Sequence, residues 1–320
     1  MAYTNTDTNM TSSNGLTPGM QTYYNRELLR TFEPELVHLQ FGDEHRMPAN
    51  NGLVMNFRKI VPLAANTTAL AEGNPGDSVM LSETEVTVKL EQYGEYARCT
   101  DKLDLTHLDM NIMRKTKLFG DAGARSIDAV VRDELAKCTN VIYANGKTSR
   151  SALTASDKLT SKELRKAVRM LKRAHAQTFG GYYIAIVGPD TIYDLQDDEM
   201  FVKVSQYQDK ERIYTGEIGR LFGVRLVETT EAKIFEGEGA AIGSGSAKHD
   251  VASVIVLGQY AYGCTSLKGA RPRVIVKPAG SAGTADPLDQ ISTVGWKMDG
   301  FGVKLLQPEY AVRIECGFTA

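Results

Sequence analysis

The chain has 320 residues, of which 42% are hydrophobic and 24% charged, enough to bury a large core and to divide into two or more lobes. A formal charge of −2 excludes a strongly basic nucleic-acid binder as the character of the whole chain, while leaving room for a local patch. No apolar run approaches the roughly 18–20 residues of a membrane helix, so no membrane partner is expected. The opening residues Met1 to Asp7 lack a charged-then-apolar leader pattern, so folding in the cytoplasm is expected.

Residues 4–20, rich in Thr, Asn, Ser and Gly, predict a flexible or extended arm. From Gln21 to Phe41 apolar residues recur at helical spacing, with Pro34 dividing them into two short helices or one broken one. Leu53 to Ile60 reads as a strand, and the alternating run Val86 to Glu91 as its partner. Between them lie 24 residues, Pro62 to Glu85, with turn chemistry at Asn74-Pro75-Gly76-Asp77. Hairpin loops usually take two to five residues, and loops beyond about 12–15 tend to be functional or disordered. Folded back on itself, this segment reaches ~40 Å at roughly 3.3 Å per residue, against a radius of gyration of only ~20 Å for a globule of this size. It is long enough to lie on a neighbouring molecule.

The strongest helix runs from about Lys117 to Cys138, with an apolar stripe of Phe119, Ala122, Ile127, Val130, Val131 and Leu135. Asp121–Arg125, Asp128–Arg132 and Asp133–Lys137 are expected as ion pairs four residues apart. A second helix starts at Thr160 or Ser161 as cap, buries Leu164, Ala167, Val168 and Leu171, and is expected to end at Gly180-Gly181. Its other side carries Lys162, Arg165, Lys166, Arg169, Lys172 and Arg173. An α/β block follows: a strand over Tyr182 to Val187, a short helix over Thr191 to Leu195, and a strand over Val224 to Glu228. A buried strand is expected from Val251 to Leu257, continuing through Tyr260 and Tyr262, with a flexible Gly237 to Gly245 loop before it. Two runs close the sequence, Val303 to Leu306 and Tyr310 to Ile314, with Asp299-Gly300 and Pro308 as turn residues.

Chemistry is sparse, and no catalytic, metal or cofactor-binding residue is expected. Gly237 and Gly239 fail the dinucleotide pattern because Ile242 occupies the third glycine position. There is no phosphate loop, zinc-protease motif, calcium loop or nucleophile elbow. Cys99, Cys138, Cys264 and Cys316 show no metal spacing and read as buried reduced thiols. His38, His45, His107, His175 and His249 are scattered and read as structural or solvated. Asp194, Asp197, Asp198 and Glu199 read as a solvated helix end, with a divalent-cation site as the alternative. The basic helix face is either solvated or meets phosphate or an acidic neighbour, and any DNA contact would be electrostatic.

Several blocks follow in order: the helix, long loop and spine helix already named, then Gly216 to Val227, then Ala285-Asp286-Pro287-Leu288-Asp289-Gln290 with Val294-Gly295-Trp296-Lys297 and Ala311 to Glu315. Together they resemble the major capsid proteins of tailed bacteriophages, the Hong Kong 97-like fold. The resemblance implies an α+β chain in five parts. These are an N-terminal arm and helix (1–52), an E-loop hairpin (53–98), a peripheral domain with a spine helix (99–180), an axial α/β domain (181–289) and C-terminal strands returning to the periphery (290–320). It implies hexamers and pentamers of the chain itself closing an icosahedral shell around packaged double-stranded DNA, with scaffold, portal and decoration proteins as further partners. The E-loop would grip its neighbour through Leu63, Leu70, Asn74, Pro75, Gly76, Val79, Met80 and Leu81. Lys162, Arg165, Lys166, Arg169 and Arg173 would face the interior or a neighbouring subunit. Some family members crosslink through an E-loop lysine; Pro62 to Glu85 contains none, the nearest being Lys59 and Lys89, so non-covalent locking is expected. The alternatives are a cellular nanocompartment shell of the same fold, or a cytoplasmic α/β enzyme with a dispersed site.

Overall fold

The computed structural model describes residues 36–48, 50, 52–60, 63, 67, 69, 78–102, 112–198, 200, 201, 220–242, 247–267, 272–281 and 286–319. The expected arm over 4–20, residues 21–35 of the broken helix, His107, Glu199 and the tip Asn74 to Asp77 lie outside them.

A seven-stranded sheet forms one half of the core. Its order is β5 (Val141–Tyr143), β14 (Ala311–Cys316), β10 (Val251–Leu257), β6 (Tyr183–Val187), β8 (Val224–Glu228) and β7 (Arg220–Leu221), with β9 (Ile234–Phe235) added to β10. β6, β10 and β14 are buried at every position, which is what strands covered on both faces require. Strand alternation sorts their side chains. Ala185, Val187, Val254, Val256, Val312 and Ile314 pack with Leu164, Ala167, Val168 and Leu171 of α2 (Ser161–Arg173) and with Ile192 and Leu195 of α3 (Pro189–Gln196). Ile184, Ile186, Ile255 and Leu257 turn the other way, onto Ala124, Ile127, Val131 and Leu135 of α1 (Ile112–Leu135).

The second sheet runs β1 (Asp43–Met47), β11 (Tyr262–Leu267), β13 (Ile291–Leu305) and β12 (Arg273–Lys277), with β4 (Glu91–Thr100) also paired to β13. Trp296, Met298 and Phe301 of β13 and Tyr262 of β11 enter the same core as α1, so the helix joins the two sheets. β12, β13 and β4 pass so close that a Cβ on Gly295 would lie 2.6 Å from the Glu95 carbonyl oxygen. A third, two-stranded sheet pairs β2 (Val54–Ile60) with β3 (Glu83–Lys89).

Several expectations are corrected. The helix region ending at Phe41 shows, in its described part, only a 3₁₀ turn over His38–Phe41. The spine helix starts and ends earlier than Lys117 and Cys138. Its three expected ion pairs are replaced by other partners. Asp128 binds His38, Arg125 and Arg132 reach Glu231 at 3.9 and 4.0 Å, Asp133 takes Lys233 at 3.0 Å, and Lys137 takes Glu134 at 2.6 Å. Apart from the local Glu134–Lys137 pair, partners fixed by tertiary packing thus displace pairs worth only a few tenths of a kcal/mol.

α2 stops at Arg173, with His175 at φ +56° just beyond; Gly180 and Gly181 lie further on, before β6. The run Val251 to Tyr262 is two strands in two sheets, divided at Tyr260, whose φ is +61°. Asp299-Gly300 is a bulge inside the 15-residue β13, where the register with β4 shifts between Met298 and Phe301. The Gly237 loop is anchored in its described part: Gly239 N–H donates to the His249 carbonyl and Ala240 N–H to that of Leu153, both at 2.8 Å. The ranges 99–180, 181–289 and 290–320 each place strands in the seven-stranded sheet, and β11 and β12 join the other.

Candidate functional site

The β2–β3 hairpin has its lower end seated on the body. Its ladder runs from Val54 opposite Lys89 to Ile60 opposite Glu83, three residues further than the alternating run suggested. At the base, Val88 and Leu90 are buried and Leu90 N–H donates to the Leu53 carbonyl at 2.8 Å. Phe57 meets His45 edge-on with centroids 5.0 Å apart, and Thr265 donates to the Met55 sulfur at 3.6 Å. Gly302 of β13 lets the hairpin cross: a Cβ there would stand 2.7 Å from the Lys89 carbonyl oxygen.

Away from the base, several described apolar side chains are bare. Val79, Met80 and Leu81 are 67, 89 and 72% exposed, a contiguous patch of the kind that marks a contact surface. Leu63 is also exposed. Leu70, Asn74, Pro75 and Gly76, expected beside them, lie outside the described residues. Lys59 and Lys89 sit inside the ladder, opposite Thr84 and Val54.

The basic face of α2 is only partly as expected. Lys166 turns to the buried Glu163 at 3.6 Å, and Lys162 is solvated. Arg165, Arg169, Lys172 and Arg173 instead line a surface depression of about 450 Å3 with Val168 and Phe222. The helix entry is held from outside: Asp198 accepts from Ser161 N–H at 2.8 Å, while the Thr160 hydroxyl donates to Glu163.

Two of the acidic residues, Asp194 and Asp198, are tied into the fold, while Asp197 is exposed. Asp194 is buried and accepts from Thr319 N–H at 2.9 Å and Oγ1–H at 2.6 Å, with Lys158 at 2.9 Å. Burial alone would raise its carboxyl, but the Thr319 and Lys158 contacts hold it below the usual range. Asp194 and Asp198 therefore clip the C-terminal segment and cap α2, in place of the solvated helix end expected. Among the described residues no group of acidic, His or Cys side chains is placed to hold a metal ion. The four cysteines are buried and unbridged; burial pushes the Cys264 thiol up to about 12 and raises Cys138 and Cys316 as well.

Two polar assemblies gave no signal in the sequence. His38 is fully buried, with Nδ1 2.6 Å from Asp128 Oδ2 and N–H donating to Oδ1 at 2.8 Å; Tyr262 O–H donates to its carbonyl. Glu315, also fully buried, takes a two-pronged hydrogen bond from Arg150 at 2.7 and 2.8 Å and meets Arg313 Nε at 2.8 Å. The Arg150 guanidinium lies 3.5 Å over the Phe235 ring. Both join segments more than 80 residues apart, so no local pattern announces them.

The sequence profile of a family described as phage capsid protein matches residues 83–314, most of the chain. The chain belongs to the phage capsid protein family. This capsid protein is a structural component of a shell, and the family match favours that over a nanocompartment or a dispersed-site enzyme. No curated protein matches the sequence. Solved structures share the fold at low identity. The capsid of cyanophage P-SCSP1u has 14% identity and a TM-score of 0.67, covering 89% of both chains. The capsid of Ralstonia phage GP4 has 15% identity and a TM-score of 0.66, covering 90% of this chain and 91% of its own. A virus-like particle from Pyrococcus furiosus aligns less closely, with 10% identity and a TM-score of 0.53 over 92% of this chain and 99% of that one. The capsid protein is thus of the Hong Kong 97-like, α+β kind that the ordered blocks suggested.

Proposed function

We propose that this capsid protein forms hexamers and pentamers that close an icosahedral shell around double-stranded DNA, each subunit holding the next through its β2–β3 hairpin. The observation that carries this is the bare Val79-Met80-Leu81 patch on a hairpin whose other end is seated in the body. Covering a few hundred Å2 of such surface contributes several kcal/mol at ~25 cal/mol per Å2, and the contact repeats around every ring. Residues 63, 70 and 74–76 would complete the grip. In this reading the seven-stranded sheet with α2 and α3 makes most of the axial domain, and the β13 sheet with α1 the peripheral one. The work is non-catalytic, proceeds in the host cytoplasm, and calls for scaffold, portal and decoration partners.

Locking is read as non-covalent, because Pro62 to Glu85 contains no lysine. Electron microscopy of the expressed protein tests the assembly: closed particles are expected, and a small fixed oligomer would refute it. A ladder of crosslinked bands on a denaturing gel of mature particles would refute the non-covalent lock.

A further inference from the structure

The β7–β8 hairpin turns on two residues, Phe222 and Gly223, between the paired Leu221 and Val224. Both have positive φ, +51° and +80°. Turns of this shape favour Asn-Gly, Asp-Gly or Gly-Gly, because a side chain in the left-handed region costs energy, most for bulky residues. An aromatic at the first position is therefore held against local preference. Its ring stands at the rim of the α2 depression, with the Arg165 guanidinium 5.4 Å from its centroid.

Among the described residues that line the depression, every charged side chain is a cation. Arg165, Arg169, Lys172 and Arg173 are exposed, and among the described residues none has a carboxylate within ion-pair distance. Positions i, i+4, i+7 and i+8 share one helix face and span about 12 Å of axis at ~1.5 Å per residue. A DNA duplex carries one charge per ~1.7 Å of axis with both strands counted, so about seven phosphates lie along that length, only part of them on the side turned to the protein. Three of the four cations are arginines, whose forked donors match phosphate oxygens.

We propose that this depression, the α2 cations with Phe222 as the platform that orients Arg165, binds the phosphate backbone of double-stranded DNA. The inference rests on the shell reading above, and deepens it by naming where the contents are touched. A site this shallow binds weakly by itself. Repeated in every subunit, it suits one long polyanion better than a single acidic peptide, because linked weak contacts multiply. Lys166, turned to Glu163, is not part of it.

The test is fluorescence anisotropy of the full-length protein with a random-sequence duplex between 50 and 200 mM salt, beside microscopy for particles. For R169E/R173E and the milder R169Q/R173Q, the slope of log affinity against log salt should fall by about 0.9 for each cation removed, with particles still forming. F222N, which suits the turn better and keeps every cation, should weaken binding several-fold at unchanged slope, and F222Y should restore it. An unmoved slope in the arginine variants overturns the proposal. So does a loss of particles with DNA binding intact, which would assign the face to a contact between copies. Displacement of DNA by poly-glutamate at equal charge also overturns it, in favour of an acidic protein ligand. Unaltered binding in F222N removes the platform from the proposal. Failure to form particles in the unsubstituted protein undoes the shell reading, and leaves the salt slope to judge the site alone.

Discussion

The seven-stranded sheet and the β2–β3 hairpin are both β-structure, yet they are completed in opposite ways. β6 and β10 find strand neighbours on both edges and a helix layer on each face, all within one chain. The hairpin joins two strands only, and most side chains of β3 stay exposed. An isolated pair of strands is marginal in water, so the hairpin depends on the body at its base, while its far side is left bare. One region makes the subunit fold; in the proposed assembly the other joins it to the next. Substitutions should therefore separate into two classes, and mixing of the classes would break the comparison.

The largest effect is expected in the body. Ile127→Ala empties a fully buried site between α1 and the sheet, and should cost about 2–5 kcal/mol in chemical denaturation. The hairpin should answer differently. V79D/M80D/L81D should leave that denaturation curve within about 0.5 kcal/mol while raising the protein concentration needed for particles at least tenfold, seen by light scattering. A matching loss of fold stability would place these side chains in the body after all. Next comes Gly295→Ala, which sets a methyl group against the Glu95 carbonyl oxygen and the Tyr96 side chain. It should cost about 1–3 kcal/mol by overpacking, and a neutral result would mean the strands can part.

The smallest effect concerns pH. The folded-state pKa of Asp194 is depressed below 3.8, so its contribution is complete above that value and is lost as pH falls through the lower folded one. Asp194→Asn should flatten the stability-versus-pH curve below about pH 4. An unchanged acid limb would discharge Asp194 from the C-terminal clip.

The elements that could be read from the sequence are those whose signal is local. The α1 stripe, the alternating β8 and the short buried runs of β6 and β10 carry local signals, and the hairpin showed itself through loop length. What escaped depends on distant partners. Asp128 looked like a helix-surface acid for Arg132, but His38, 90 residues earlier, occupies it. Tyr260 sits in a run of apolar residues whose alternation cannot show that the chain is leaving one sheet for another. Asp299-Gly300 has turn chemistry, yet β4 pairs on both sides of it and absorbs it as a bulge. In the candidate site, the α2 cations were legible as a face. Phe222 was not, because nothing in Leu221-Phe222-Gly223 says that the ring will stand beside Arg165. The E-loop positions Leu70 and Asn74 to Gly76 remain readings of the sequence.

The position of β14 has a bearing on timing. Residues 311–316 lie between β5 and β10, so this strand fills an interior slot whose neighbours are made some 170 and 60 residues before it. Likewise β1 waits for β11, more than 200 residues downstream. Contacts of such long range close slowly and only after the intervening chain exists. A ribosome-bound subunit therefore lacks a finished body on which to mount its hairpin until residue 316 has emerged. On the assembly proposed above, identical nascent chains side by side on a polysome would be spared from joining through the hairpin before each body is whole.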